Sequence, residues 1–279
     1  MSLLGSRLLQ DRTATLGLLV VISAIALAFA APILAPAAVD AVDVGNRFAP
    51  PSALHPFGTD NLGRDTLSRI LYGGRTSLLS AVLVTGAITA IGILVGLVTG
   101  YFGGWIDAVV MRIVDVLLAL PRLILALAVT GVLGPGLPNL VAAIIAVGWA
   151  DYSRIVRALV LAIRERPFVE SARAVGAGEA RVVFRHIAPN LLGQVIVLST
   201  LDLGAVLLTL AGLSFLGLGI RPPTPEWGSM LAEGKNFLDR APQLMLYPGA
   251  AIAIVVLGFN LLGDGLRDLL DPRTRRGRA

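Results

Sequence analysis

The chain has 279 residues, of which 56% are hydrophobic and only 15% are charged, and its formal net charge is +5. A soluble domain carries about 25% charged residues because charge covers its surface, so this composition excludes a water-soluble protein and indicates one that faces lipid. The basic residues lie between apolar stretches instead of alternating with aromatic residues, which argues against a nucleic-acid-binding protein.

Uncharged stretches long enough to span a membrane recur along the chain, since a bilayer core of about 30 Å needs about 20 apolar residues in a helix. They lie at 13–39, 76–106, 191–219 (interrupted only by Asp202) and 244–263. The stretch 123–150 is also uncharged, but its middle reads Gly-Pro-Gly-Leu-Pro, which predicts a turn. We therefore predict two helices in a hairpin there, beginning near Val109 and ending near Ala158, and an all-α membrane protein with six transmembrane helices.

The orientation is predicted from the arginines. Most of the 23 basic residues fall on the side of the membrane that holds both termini. Since cytoplasmic loops are enriched in Lys and Arg, both termini are predicted to be cytoplasmic. The predicted organisation is an N-terminal span with an extracytoplasmic segment (1–74), a core domain (75–265) with a cytoplasmic loop (151–190), and a cytoplasmic tail (266–279) whose arginines would contact anionic lipid.

The two extracytoplasmic segments carry local signals. Thr59 and Asp60 are suitable caps, and predict a short helix that begins at one of them and ends near Tyr72. The run of prolines at 222–225 predicts a rigid turn, and Trp227 after it predicts an aromatic anchor at the membrane interface.

The cytoplasmic loop predicts a docking element. Helix-forming residues flank Gly176-Ala177-Gly178, which predicts two short helices that reverse direction at the glycines, with Pro189 ending the loop or opening the fifth span. The small residues Ala172, Ala174 and Gly176 would then form a surface that a cytoplasmic partner can approach closely. An ordinary solvated loop is the alternative, and composition alone leaves both open.

The loop also resembles a known motif. Glu170-Ser171-Ala172, Gly176 and Pro189 have the spacing of the EAA motif of ABC-importer permeases, with departures at Ser171, His186 and Ala188. Further blocks resemble, in the same order, the second permease subunit of the dipeptide/oligopeptide/nickel family: 55–65, 100–107, 211–219, 222–228 and 259–268.

The resemblance implies the type I importer fold of the methionine-importer permease and a location in the bacterial plasma membrane. It implies three kinds of partner: a homologous second permease subunit, one or two cytoplasmic ATP-binding subunits and an extracytoplasmic solute-binding protein. The residues it implies for coupling to the ATPase are Glu170, Ser171, Ala172, Gly176, Gly178 and Pro189.

No catalytic residue, cofactor or metal site is predicted in this chain. The only lysine, Lys235, is not in a Walker A loop, so ATP and Mg²⁺ would be bound by the separate subunits. There is no cysteine, and the two histidines, His55 and His186, lie far apart in the sequence.

Three residues in the spans are candidates for the translocation path. Asp202 is costly inside a membrane unless it is paired, hydrated or protonated, and Thr209 lies two turns further on the same helix face. One hypothesis is that they line the path and that Asp202 binds a substrate amine. The alternative, which we favour slightly, is that Asp202 lies near the cytoplasmic end of its span, where it is salt-bridged to a partner helix or hydrated. Arg122 raises the same question, and there a structural role is favoured.

The predicted function is therefore the permease subunit of an ATP-driven importer of short peptides. Nickel, glutathione and haem remain alternative substrates for a permease of this family. A secondary transporter or channel working without an ATPase, or a membrane scaffold that transports nothing, are alternatives from other functional classes.

Overall fold

The computed structural model describes residues 11–270, and in that range the protein is built from helices without a β-strand. The tail from Asp271 onward, with most of its predicted lipid-contacting arginines, lies outside the described residues. The helices, in chain order, are α1 Arg12–Phe29, α2 Ala31–Leu34, α3 Thr66–Phe102, α4 Gly104–Leu118, α5 Arg122–Leu133, α6 Leu137–Arg164, α7 Pro167–Ala174, α8 Glu179–Arg181, α9 Ala188–Phe215, α10 Trp227–Gly234 and α11 Gln243–Leu270.

Four of these helical segments are long and apolar enough to cross a membrane: α1, α3, the continuous run 179–215 that contains α9, and α11. Helices α4 and α5 are long and apolar enough only when taken together. They are bent by 91° where they meet, so they form at most a fifth span. Helix α6 has 28 residues and is long enough to span a membrane, but Asp151, Arg154 and Arg157 make its second half too polar for it to count as a span by composition. Length and composition therefore support four or five spans.

Helix α3 differs most from the sequence prediction. The predicted short helix and the predicted second span are parts of one helix of 37 residues, about 55 Å long. It does not begin at Thr59 or Asp60, because Asp65 caps it by accepting a hydrogen bond from the Ser68 amide at 2.7 Å. The left-handed backbone at Gly63 (φ 77°) also prevents an earlier start. The predicted domain boundary between residues 74 and 75 lies inside this helix.

Helices α3 and α6 pack with almost no space between their backbones. A Cβ atom added at Gly96 would lie 2.6 Å from the Cβ of Val156, and one added at Gly100 would lie 2.8 Å from the Cβ of Val160. The residues on both helices are four apart, so each lies on one helical face. Without a hydrophobic force between helices in lipid, such close approach supplies the van der Waals contact that holds the pair together.

The bundle has two ends with different contents. We call the end that carries residues 151–190 the loop end, and the opposite end, which carries residues 40–65 and 216–242, the clasp end. A small apolar cluster at the loop end packs the loop against α3 and α6, and includes Leu97, Val160, Val169 and Ile187. A larger cluster fills the rest of the bundle between α1, α3, α6, α9 and α11.

Candidate functional site

The loop end contains the helix reversal that the sequence predicts. Helix α7 ends in a Schellman motif, in which the Gly176 amide donates to the Arg173 carbonyl at 2.9 Å and the Ala177 amide donates to the Ala172 carbonyl at 3.0 Å. Gly176 has φ 84°, the left-handed conformation that this motif requires. Gly178, with φ −67°, has an ordinary backbone and precedes α8.

The surface of this reversal differs from the predicted one. Glu170, Ser171 and Gly178 are exposed, but Ala172 is only 8% exposed and faces the bundle beside Val169. The prediction that Ala172 forms part of an exposed small-residue surface is therefore wrong. A short helix must bury one face, and residues three apart, 169 and 172, are that face. Val175, next to Gly176, is 85% exposed, more than the other large apolar residues of this loop, and sequence reasoning missed it.

The loop is fastened to the end of α3. The Tyr101 hydroxyl donates a hydrogen bond to the Glu179 carboxylate, and the Arg173 guanidinium lies 5.4 Å from the centre of the Tyr101 ring. Arg164 donates to the Gly100 carbonyl at 3.0 Å. The loop is therefore in direct contact with the end of α3.

Two roles were predicted for Pro189, ending the loop or opening the fifth span, and its position is closer to the second. It is the second residue of α9, as expected if it opens the fifth span, but the chain is already helical from Glu179. A π-helical segment, Val182–Ile187, joins α8 to α9. A π-helical turn accommodates a proline that donates no amide hydrogen, so the helix continues through Pro189 without a break.

The middle of the bundle contains a cluster of polar side chains, which we call the intramembrane cluster. Arg122 Nη1 lies 3.4 Å from Asp202 Oδ1, and the Tyr152 hydroxyl lies 3.3 Å from Asp202 Oδ2. Thr89 and Ser199 are hydrogen-bonded to each other at 3.1 Å through their hydroxyls. Four helices, α3, α5, α6 and α9, contribute to it, and each residue lies well inside its helix except Arg122.

Arg122 is the first residue of α5, directly after the 91° bend. Its guanidinium lies over Gly148, where a Cβ atom would be 2.9 Å from Nη2. The Nε and Nη2 atoms of Arg122 are buried and have no hydrogen-bond partner among the described residues. The only carboxylate that pairs with Arg122 in this part of the chain is therefore Asp202, through a single long contact.

The side chains of Arg122 and Asp202 are 27% and 18% exposed, although Asp202 lies near the middle of α9. Charge at that depth is tolerated when it faces the interior of an assembly or a water-filled cavity, because lipid cannot solvate it. The exposed part of this pair is therefore not expected to face lipid. Thr209 lies seven residues beyond Asp202, about 10 Å along α9, and its hydroxyl donates to the Ala205 carbonyl of its own helix at 2.8 Å, so no hydrogen bond among the described residues connects it to this cluster.

The clasp end holds a buried ion-pair network that sequence reasoning missed. Arg64 donates to Asp60 at 2.6 Å and to Glu233 at 2.8 Å, and Arg69 lies 3.2 Å from Glu233. Both arginines are at most 2% exposed. Two cations and two carboxylates in segments about 165 residues apart thus join the residue 40–65 segment, the start of α3 and α10. Equal numbers of opposite charges in two polar segments were the only signal in the sequence.

Glu226 and Trp227 complete this end. Glu226 is buried and caps α10 by accepting from the Gly228 and Ser229 amides at 2.8 and 2.9 Å. Trp227 is 5% exposed, packs against Gly74, and donates its indole hydrogen to the Ile70 carbonyl at 3.0 Å. The predicted anchor at the membrane interface is therefore wrong, because the glycine at position 74 leaves room for the indole inside the bundle.

Burial raises the pKa of the Glu226 carboxyl above its ordinary value, although its hydrogen bonds to Gly228 and Ser229 oppose that shift. The folded chain then holds a proton that the unfolded chain has lost, so this contribution to stability is full at acid pH and falls as the pH rises through the raised pKa. We expect the melting temperature of Glu226→Gln, measured in detergent, to gain on that of the wild type as the pH rises above about 4.3, the ordinary pKa of a glutamate. A difference between the two that is constant with pH would contradict the protonation of Glu226.

Comparison with known proteins identifies relatives over almost the whole chain. Residues 92–276 match the family described as binding-protein-dependent transport system inner membrane component, and residues 3–51 match the N-terminal TM domain of oligopeptide transport permease C. The chain is 44% identical over 270 residues to the dipeptide transport system permease protein DppC of Alkalihalophilus pseudofirmus, covering 96% of this chain and 88% of that protein. It is 42% identical over 270 residues to the glutathione transport system permease protein GsiD of Pectobacterium atrosepticum, covering 96% and 90%.

Proposed function

Since this chain belongs to the family of binding-protein-dependent transport system inner membrane components, as a permease subunit of an ABC importer in a bacterial inner membrane, we propose that it carries short peptides across that membrane. Separate subunits would bind and hydrolyse ATP. The observation that carries the proposal is the similarity to a dipeptide permease along 96% of the chain. The intact helix reversal at Gly176, in the EAA-like segment, supports it.

We propose that the loop end faces the cytoplasm and binds an ATP-binding subunit. Glu170, Ser171 and Gly178 are exposed there, and Val175 projects between them as an apolar residue that a partner cleft would cover. The fastening of the loop to Tyr101 gives a path by which movement of the ATPase would pull on α3. Ala172 would act indirectly, by holding α7 against the bundle, and Pro189 by connecting the loop to α9.

With the loop end in the cytoplasm, we propose six spans. Helix α6 is one of them, and its polar second half is covered by protein. Arg157 pairs with Asp107 of α4, and Arg154 pairs with Asp115 of α4, so two of its charges are neutralised within the chain. Both termini then lie on the cytoplasmic side. The clasp end would be extracytoplasmic, where a solute-binding protein would deliver the substrate.

We propose that the exposed face of the intramembrane cluster borders the translocation path, which a second, homologous permease subunit would complete. The support is physical: a partly exposed ion pair near the middle of α9 requires a neighbour other than lipid. Asp202 would then be held by Arg122 and Tyr152 between transport events, and would offer a carboxylate to the amino group of a passing peptide.

Glutathione transport is the second candidate, because the similarity to a glutathione permease extends along 96% of this chain as well. Glutathione is itself a short peptide with an amino group and carboxylates, so the intramembrane cluster does not separate the two. The substrate would be distinguished by the binding protein that accompanies the permease.

The experiment is to extract the complex from its native membrane in mild detergent through an affinity tag on this chain, and to identify the proteins that accompany it. We expect a second permease and Walker A ATPases, and a binding protein whose ligand can be measured directly by calorimetry with dipeptides and glutathione. A chain that is extracted folded but alone, with transport that does not depend on ATP, would contradict the proposal and favour a secondary transporter.

A further inference from the structure

An apolar groove runs down one side of the bundle at the clasp end. Helices α1, α3 and α11 form its walls, and its volume is about 390 Å³. Twelve of its thirteen lining residues are apolar, glycine included, and Ser23 is the thirteenth. Leu19 and Ala28 mark its two ends along α1, and Trp227 closes it on one side.

An exposed arginine lies beside this groove. Arg75 follows Gly74, which lines the groove, and lies four residues after Leu71, another lining residue, so it is on the same face of α3. Its guanidinium lies 5.6 Å from the centre of the Phe29 ring, at the end of α1. Within the described chain no carboxylate lies within ion-pair distance of Arg75, whereas Arg64 and Arg69 of the same end are both paired.

The position of Arg75 is that of a membrane boundary. The uncharged stretch 76–106 begins directly after it, and α1 ends at Phe29 on the other side of the contact. From Ala28 to Leu19 the groove extends nine residues along α1, about 14 Å. That is close to half of a hydrocarbon core of about 30 Å, the depth of one leaflet.

The dimensions of the groove limit its occupant. Spread over about 14 Å, its volume gives a cross-section about 6 Å wide, which fits one methylene chain in contact with walls at about 4 Å. A helix about 10 Å wide is too broad to enter a groove of this width, so a helix of a second permease could cover only its mouth.

We propose that this groove binds one acyl chain of a phospholipid from the leaflet at the clasp end, with the phosphate of that lipid on Arg75. A guanidinium binds phosphate through two parallel hydrogen bonds, so Arg75 supplies the polar recognition and the groove supplies the apolar contact. The lipid joins α1 to α3 and α11 at a position where the chain leaves a gap. This proposal does not depend on the transported substrate.

The test uses the assembled complex in nanodiscs that contain phosphatidylglycerol with a photoactivatable acyl chain. We expect labels on α1 and α11 within 19–28 and 251–255. Ala251→Phe fills the groove and is expected to lower this labelling at least about fivefold, a difference of about 1 kcal/mol. Ala253→Phe, the same change at an exposed position of α11 that does not line the groove, is the control and is expected to change it little.

A second variant tests the phosphate contact without filling the groove. We expect Arg75→Gln to lower labelling by phosphatidylglycerol to the level given by diacylglycerol with the same chains, whereas Arg47→Gln, at an exposed position of the same end, leaves the difference intact. Labels spread evenly over all lipid-facing helices would overturn the proposal. So would a groove that is protected from lipid and crosslinks to the second permease instead.

Discussion

Substitution of Gly176 by valine is expected to stop transport while the chain remains inserted in the membrane. Gly176 has φ 84°, and a Cβ atom added there would meet nothing within 4 Å, so the cost is in the backbone and not in the packing. A left-handed conformation costs a residue with a side chain about 1–2 kcal/mol, and a β-branched residue tolerates it least. The Schellman motif would open, and Val175 and Glu170 would lose the positions in which a partner meets them.

The measurement is uptake by the reconstituted importer, together with the amount of ATPase that copurifies with the chain. We expect both to fall at least about tenfold, as a change of about 1.4 kcal/mol in docking would produce. Gly217→Val is the matched control, because Gly217 also has a left-handed backbone (φ 89°) and open space around it, but lies after α9 and away from the loop end. Normal uptake by Gly176→Val, or an equal loss in both variants, would contradict a coupling role for the reversal.

The features that the sequence predicts well are local ones. The glycine at 176 determines the helix reversal because a left-handed residue is needed within a few positions of the end of α7. The apolar stretches that become α1, α3, α9 and α11 are recognisable because their length alone matches a bilayer. In each case the information is contained in fewer than about 40 consecutive residues, the length of the longest helix.

The features that the sequence does not predict depend on contacts between distant segments. The pairing of Arg64 with Glu233 spans 169 positions, and that of Arg122 with Asp202 spans 80. Trp227 is a residue type that often anchors a helix at the membrane interface. Here it is buried, because Gly74 of a different helix leaves room for its indole ring. The predicted start of α3 was wrong for a local reason. Thr59, Asp60 and Asp65 all suit the role of a helix cap, and the structure uses Asp65.

Together, the two ends indicate how the molecule divides into stiff and movable parts. The clasp end is joined by buried ion pairs and by a buried helix cap, and α3 and α6 are in close contact from Gly92 to Gly100, about two turns. The bend between α4 and α5, next to Arg122, interrupts this stiffness in the middle of the bundle. If an ATP-binding subunit pulls on the loop end, as we propose, we expect the rigid helices to carry the displacement and the intramembrane cluster, which joins α5 to α9, to respond to it.

The second large effect is expected at Asp202. Asp202→Asn removes the only carboxylate paired with Arg122 in the described chain and leaves a guanidinium whose Nε and Nη2 atoms already have no partner. Breaking a fully buried pair costs about 3–5 kcal/mol, and the partial exposure of this one reduces the expected loss to about 2 kcal/mol. We expect a lower melting temperature for the complex in nanodiscs and uptake reduced at least about tenfold.

The double variant Arg122→Gln with Asp202→Asn separates a structural role from a role in transport. With both charges removed, the polar side chains can still bond to each other and to Tyr152, so we expect the stability of the complex to return to within about 0.5 kcal/mol of that of the wild type.

Uptake by the double variant distinguishes the two roles. If the pair only holds α5 to α9, uptake returns to the wild-type level together with the stability. If the Asp202 carboxylate contacts the amino group of the peptide, uptake stays low, and an N-acetylated peptide is transported no worse by the double variant than by the wild type. The second result is the one we expect, because the Arg122–Asp202 pair stays partly exposed near the middle of α9, where its exposed part needs a neighbour other than lipid. Unchanged uptake in Asp202→Asn alone would remove Asp202 from the translocation path.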